Sequence, residues 1–447
     1  GLYNLSMKNN IYFLLIIFCL LQFSCANKKY ITWDDYNTLN QNTSRFTGID
    51  SNMLRSMNIK LKRDVIDFGA DNTGVKNSVT AFRNARDYAR RYRESIYIPN
   101  GVYNLDDSIQ IPGNVKVIGE DKEHTIVYNN SFVKDRPTFV ITNKGKVAYG
   151  NEIANIYFIT GVNTNEHIAI EIVDASGFNI HDCKIMAEPY FTGTGIKIKG
   201  RECGTIDNMM IYANRPIVIA NNPNSSIDAD HFNFRNLYLG ASGNPVISIE
   251  EDVFLLNISF AGFQAWVGGT YGLYWEDTKS QMASTNLKIE NVRWEQEQDK
   301  NGYLIYINHN YSLQNLILNN VYGGLNANGF YLNKVMKVSI NESQYIGHSD
   351  KIGINSKALA GYSLTINNSN IQGKRILTDY RLNAIENYSN SDYSYVKDQP
   401  VLNYPILSFT KVNSSAAQPN SIFLDEEDGK LKFKDSGGTI YIVTLQK

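Results

Sequence analysis

Residues 286–308 read NLKIENVRWEQEQDKNGYLIYIN. The first half has the form apolar-x-Asn-apolar-x-apolar, through Ile289, Asn291, Val292 and Trp294. After the polar loop 295–302, a second alternating run, Tyr303 to Asn308, carries Leu304 or Ile305 and then Ile307. Two short strands joined by a loop cannot bury an apolar face alone, so such a unit needs copies of itself.

The copies are present. The pattern returns as IANIYF at Ile153, IHDCKI at Ile180, IDNMMI at Ile206, FRNLYL at Phe234 and LLNISF at Leu255. It continues as IENVRW at Ile289, LNNVYG at Leu318, INESQY at Ile340, INNSNI at Ile366 and, more weakly, IENYSN at Ile385. The third position runs Asn155, Asp182, Asn208, Asn236, Asn257, Asn291, Asn320, Glu342, Asn368, Asn387, in steps of 27, 26, 28, 21, 34, 29, 22, 26 and 19 residues. An irregular period excludes helical solenoids of fixed repeat length and suits a coil of strands with variable loops. Alternation in short β-branched runs argues for strands. The ten third positions are expected to form one row.

The chain has 447 residues, but a repeat solenoid is one unit however long. Charged residues make up 19% and the net charge is −1, so no nucleic-acid-binding face is advertised. The 29 tyrosines fit a β-rich surface meeting polar, ring-shaped ligands.

Lys8 precedes an apolar run of eleven residues, Ile11 to Leu21, too short to span a bilayer and laid out as a secretory signal beginning at Met7. It ends in Leu-Gln-Phe-Ser-Cys, similar to a bacterial lipoprotein cleavage box with Cys25 as the lipidated residue, although Gln22 stands where Leu is expected. Ordinary signal cleavage is the alternative; either way the protein is exported, and the lipidated form belongs at the outer membrane. Cys183 and Cys203 make no disulfide framework, and Cys183, at an apolar strand position, reads as a small buried hydrophobe.

Residues 26–60 are polar and without periodicity, a linker. From Asp64 the chain reads DVIDFGADNTG, then a helix expected over Ser78 to Tyr92, then SIYIPNGVYNL. Val79, Phe82, Ala85, Ala89 and Tyr92 form one stripe, with Asn77 or Ser78 placed to cap. Such a helix covers the apolar end of a stack of strands. The tail from Pro400 differs: SIFLDEEDGKLKFKDSGGTIYIV alternates and turns twice, predicting a three-stranded antiparallel meander that caps the other end.

The segment Asp64 to Leu105, with IPNGVY and the following IQIPGNVKVIGE, resembles the entry segment of the pectate-lyase and rhamnogalacturonase/epimerase-like superfamily. The resemblance implies a right-handed parallel β-helix acting on a polysaccharide, over residues 61–399, with 1–25 as signal segment and 400–447 as a β cap. It implies that the repeated Asn marks the bend between second and third strands of each coil, and that the first strand is the floor of the substrate groove. A homotrimer is common in similar proteins. The chain lacks the NTDG, GDD and RIK triplets of the family's glycosidases, so their catalytic residues do not transfer.

Outward floor positions, rung by rung, are then Ala169 and Glu171; Lys197 and Lys199; Val218 and Ala220; Ser248 and Glu250; Tyr274 and Glu276; Tyr306 and Asn308; Tyr331 and Asn333. Rungs stack at about 4.8 Å, so Tyr274, Tyr306 and Tyr331 are expected to form an aromatic row, either a sugar platform or a ladder that stabilises the sheet. Glu250 and Glu276 fall in consecutive rungs, and a carboxylate pair about 5 Å apart is what a retaining glycosidase uses. Glu295, at the mouth of a loop whose counterparts are Gly240, Ala261 and Gly324, is the other candidate, with Trp266 on the loop Ala261 to Gly272 as a stacking platform. No cofactor is required, though Glu251, Asp252 and Asp277 beside the pair would suit Ca²⁺. The reading is a glycoside hydrolase with Glu276, Glu250 and Glu295 as catalytic candidates and Tyr274, Tyr306, Tyr331, Trp266 and Lys197 as substrate-binding ones. The alternatives are a polysaccharide lyase using Lys197, Lys199, Arg215 or His309, and a non-catalytic glycan binder.

Overall fold

The structure, a computed structural model, describes residues 63–385 apart from 162–165, 190–191, 225–228, 269, 297–300, 326 and 348–350, together with parts of 411–442. The signal segment with Cys25, the linker, and Asn387 lie outside the described residues.

The chain is a right-handed parallel β-helix of about ten turns. One coil is traced by the strands Ile168–Ser176, Asn179–His181 and Lys184–Pro189. Each pairs in parallel with its counterpart in the next coil, as Ile170 with Ile196, Ile180 with Ile206 and Ile185 with Ile211. The interior is filled by stacked like residues: Ile170, Ile196, Ile217, Ile247, Leu273, Ile305, Phe330 and Ile354 form one continuous column. All are buried, as are both Leu304 and Ile305 and the inward Trp294. Near-complete burial of one such apolar side chain is worth about 1.5–3 kcal/mol, and here it recurs in every rung of the column.

The bend between second and third strands is held by residues in the left-handed backbone region. Asn155, Asp182, Asn208, Asn236, Asn291, Asn320, Glu342 and Asn368 all have φ between 44° and 58°. Asn and Asp tolerate that region better than most side chains. Asn257 does not belong to the row. The register sets Phe260 beside Phe234 and Ile289, so the bend position of that coil is Gly262, φ 64°. Gly262 restores even steps of 26 and 29 residues where Asn257 gave 21 and 34. Asn257, also left-handed at φ 56°, sits one corner earlier and starts a second ladder, accepting from Asn286 Nδ2 at 2.6 Å, which in turn accepts from Asn315 at 2.7 Å.

The helix spans Val79–Tyr92. Asn77 Oδ1 accepts the Val79 N–H at 3.0 Å, whereas Ser78 turns to Asp71. Phe82 packs on Tyr103 and Phe139 of the first coils, so the helix covers the end of the stack. Val79, Phe82, Ala85 and Ala89 of the expected stripe are buried, Ala81 joins them, and Tyr92 is exposed. In the tail, Ser421–Asp425, Leu431–Lys434 and Ile440–Ile442 form the antiparallel meander, and Lys411–Val412 adds a fourth strand in parallel. No helix among the described residues is long and apolar enough to cross a membrane.

Candidate functional site

The floor is built by first strands whose inward residues lock the register. Ile170 and Ile172 stack on Ile196 and Ile198, which sets Glu171 beside Lys197 and leaves Lys199 beside Val173. The first rung therefore sits two residues away from the alignment that put Ala169 in that column. From there the column runs Lys197, Val218, Ser248, Tyr274, Tyr306, Tyr331, Asn355. Glu276, Asn308 and Asn333 form the neighbouring column.

The aromatic row exists. Tyr274 and Tyr306 stack with centroids 5.1 Å apart at 15°, and Tyr306 and Tyr331 at 4.5 Å and 10°. Two further tyrosines close around it: Tyr271 lies 4.6 Å from Tyr274, and Tyr303 lies 5.6 Å from Tyr331. Sequence reasoning passed over both, although the repeated spacing Tyr271-x-x-Tyr274 and Tyr303-x-x-Tyr306 is written in the chain. Because the rings stack on one another, each face of Tyr306 is covered by a neighbour. The row presents edges and phenol hydroxyls to a ligand rather than open faces.

Glu276 stands at the centre of this cluster. Tyr274 donates its hydroxyl to Glu276 Oε2, and Asn308 Nδ2 donates to Oε1 at 3.2 Å. Asn333 in turn donates to Asn308 Oδ1 at 2.6 Å. Burial, then the hydrogen bond and charge of Glu276, push the Tyr274 phenol well above its usual range. Burial first and the Glu276 charge second push Tyr306 up to about 12. These phenols are donors, not bases, at neutral pH.

The other candidate carboxylates each have a cation. Lys197 Nζ reaches over the intervening rung to Glu250 Oε1 at 3.3 Å, and Val218 beneath it is fully buried. Lys199 pairs with Glu171 at 2.7 Å. Glu295 pairs with Arg293 at 3.0 Å and lies at the end of a third strand, across a corner from the floor. Its neighbour in register is Trp266, with Gly240 beyond, so Trp266 and not Ala261 is the counterpart of Glu295. Trp266 belongs to the strand Ile258–Val267 rather than to a loop, and its ring lies over Gly268, where a Cβ would meet it at 2.8 Å. The structure therefore brings Glu276 and Glu250 to one floor and sets Glu295 and Trp266 on another face. Glu276 is the floor carboxylate with no ion pair among the described residues.

Behind Glu276 and Asn308, the next residues of the same strands, Asp277 and His309, are fully buried, with His309 Nε2 3.5 Å from Asp277 Oδ2. His309 Nδ1 accepts the Tyr311 N–H at 3.0 Å, and Asp277 Oδ1 accepts the N–H groups of Asp252, Lys279 and Ser280. Burial pulls the His309 imidazole below its ordinary range. Glu251 turns to Lys279 and Thr278. Among the described residues no three His, Cys, Asp or Glu side chains are grouped to hold a metal. Cys183 is buried and free, its thiol pushed up to about 12 by desolvation.

The floor is thus carried on a parallel β-helix. Residues 62–145 match the family described as rhamnogalacturonase A/epimerase, pectate lyase-like. No curated protein matches the chain in sequence. Among solved structures it is similar to the Dettilon tailspike protein, at 12% identity and a TM-score of 0.53, covering 73% of this chain and 66% of that one. It is also similar to PfbA, a surface adhesin of Streptococcus pneumoniae, at 13% identity, TM-score 0.49, covering 86% and 98%. A third is DFA-IIIase from Arthrobacter chlorophenolicus A6, at 13% identity, TM-score 0.48, covering 74% and 85%.

Proposed function

We propose that the protein is carbohydrate-active, binding a polysaccharide along the floor and cleaving it by hydrolysis, with Glu276 as the central catalytic carboxylate. The observation that carries this reading is that Glu276 has two hydrogen-bond donors and, among the described residues, no cation, inside a ring of five tyrosines. A carboxylate held by donors is suited to take the proton of an attacking water. Glu250, one rung behind, is its partner across the glycosidic bond, and Lys197 fixes that side chain. The glycosidic C–O bond breaks as Glu276 takes a proton from the water and Glu250 gives one to the leaving-group oxygen, and the water oxygen becomes the new anomeric hydroxyl. The β-elimination alternative has less support: His309 is fully buried, and Lys197 and Lys199 are ion-paired. Binding without cleavage is the second reading, favoured by the ion pairs that occupy Glu250 and Glu295. A panel of polysaccharides assayed for product type tests all three. Reducing ends without an ultraviolet-absorbing product mean hydrolysis, an absorbing unsaturated product means elimination, and neither means binding alone.

The same reading has the protein exported and tethered to the outer membrane through Cys25. A homotrimer is its proposed assembly, and Ca²⁺ its only proposed cation.

A further inference from the structure

Glu295 and Trp266, which the floor does not use, lie on the face made by the third strands. There the column Tyr238, Gln264, Arg293, Tyr322, Gln344 runs in register along the axis, one residue per rung. A shallow depression of about 460 Å³ opens in it, lined by Gln264, Arg293, Tyr322, Asn291 and Asn320. The Arg293 guanidinium stands 5.8 Å from the Tyr322 ring centroid and gives one N–H group to Glu295. Arg293 lines the opening, and a guanidinium carries five N–H donors, so the pair with Glu295 leaves others for a ligand.

We propose that this depression is a second sugar-binding site, for a neutral hexose unit of the polysaccharide. The proposal rests on the reading that the protein binds a glycan. Arg293 and Glu295 side by side supply donors and an acceptor, and Gln264 supplies both, which matches vicinal hydroxyl groups. The pair sums to zero charge, so a uronate would meet Glu295 as well as Arg293 and gain little. Tyr322 and Tyr238, 41% and 37% exposed, offer apolar ring surface on either side of Gln264 and Arg293. Three rungs separate them, about 14 Å, so a glycan lying along the axis would pass over all the residues between. Nothing in this set is shared with the floor cluster of Tyr274, Glu276 and Tyr306.

Isothermal titration with short neutral gluco- and manno-oligosaccharides, and uronate-bearing ones for contrast, tests it. The wild type is expected to show two sites per chain for a neutral probe. Tyr322→Ala and Arg293→Gln should each weaken one of them about tenfold and spare the other. Both side chains are exposed, so unchanged melting temperatures should confirm folding, and Gln264→Ala provides a third variant. One site only, indifferent to these changes, overturns the proposal and leaves the floor reading standing. Preference for the uronate-bearing probe overturns it too. No binding of any probe by the wild type overturns both.

Discussion

Tyr306 and Tyr331 lie face to face, 4.5 Å apart at 10°, and Tyr274 covers the other face of Tyr306 at 5.1 Å. A ring so covered meets a ligand through its hydroxyl. Tyr306→Phe, which keeps the stack and removes only that hydroxyl, is therefore expected to weaken glycan binding by about 0.5–1.5 kcal/mol, the net worth of one hydrogen bond. Titration of wild type and variant with the same glycan checks this. Equal affinity would mean that the hydroxyl makes no contact and the row is a structural ladder.

Asn291 holds φ 53° at a bend and accepts from Asn320 Nδ2 at 2.9 Å, with its side chain on the surface. Asn291→Ala is expected to cost about 1–3 kcal/mol, from left-handed strain together with the lost ladder bond. Asn291→Gly, free of that strain, should cost less. Denaturant midpoints of the two variants decide, and a glycine variant as unstable as the alanine one would place the whole effect in the side-chain ladder.

The fold was legible because the apolar pattern and the bend asparagines repeat in every coil. It misled at Asn257, since the same Asn-apolar signature also serves another corner, while Gly262 performs the bend with no side chain to show for it. The tyrosine row was legible because one residue per rung projects from the floor in phase with the buried isoleucines. The pairing of Glu250 with Lys197 was not, because it depends on a lysine reaching past a small rung to the one beyond. Nor was the separation of Glu295 from the floor, which depends on where the corner falls between residue 295 and Tyr303.

His309 is buried with Asp277, and Lys334 is the other charge acting on it. Its folded value is depressed below the ~6.5 of an unfolded histidine. As pH falls below about 6.5 the unfolded chain takes up a proton that the folded one refuses, so stability drops with falling pH. His181, raised by Asp182 and Glu152 against the opposing effect of burial, acts with the opposite sign but is common to wild type and variant. His309→Asn, whose Oδ1 can still accept the Tyr311 N–H, should lose less stability than the wild type as the pH falls, so that the gap between the two proteins narrows toward acid. Melting temperatures from pH 7 to pH 5, as about the range of interest, test this. Parallel curves would show that His309 does not titrate.

Lipidation of Cys25 predicts that Cys25→Ser moves the protein from the membrane to the soluble fraction, since acyl chains supply most of the membrane affinity. Fractionation of cells expressing each form reads this directly. An unchanged distribution would favour plain secretion or a retained signal.

The measurement that bears most directly on Glu276 as the central catalytic carboxylate is the turnover of Glu276→Gln on the polysaccharide that the wild type cleaves. The amide keeps the size of the side chain and its place beside Tyr274 and Asn308, so glycan binding should persist. Turnover should fall by roughly 10²–10⁴, the usual loss when a general acid or base is removed. Full turnover with intact binding would contradict the account.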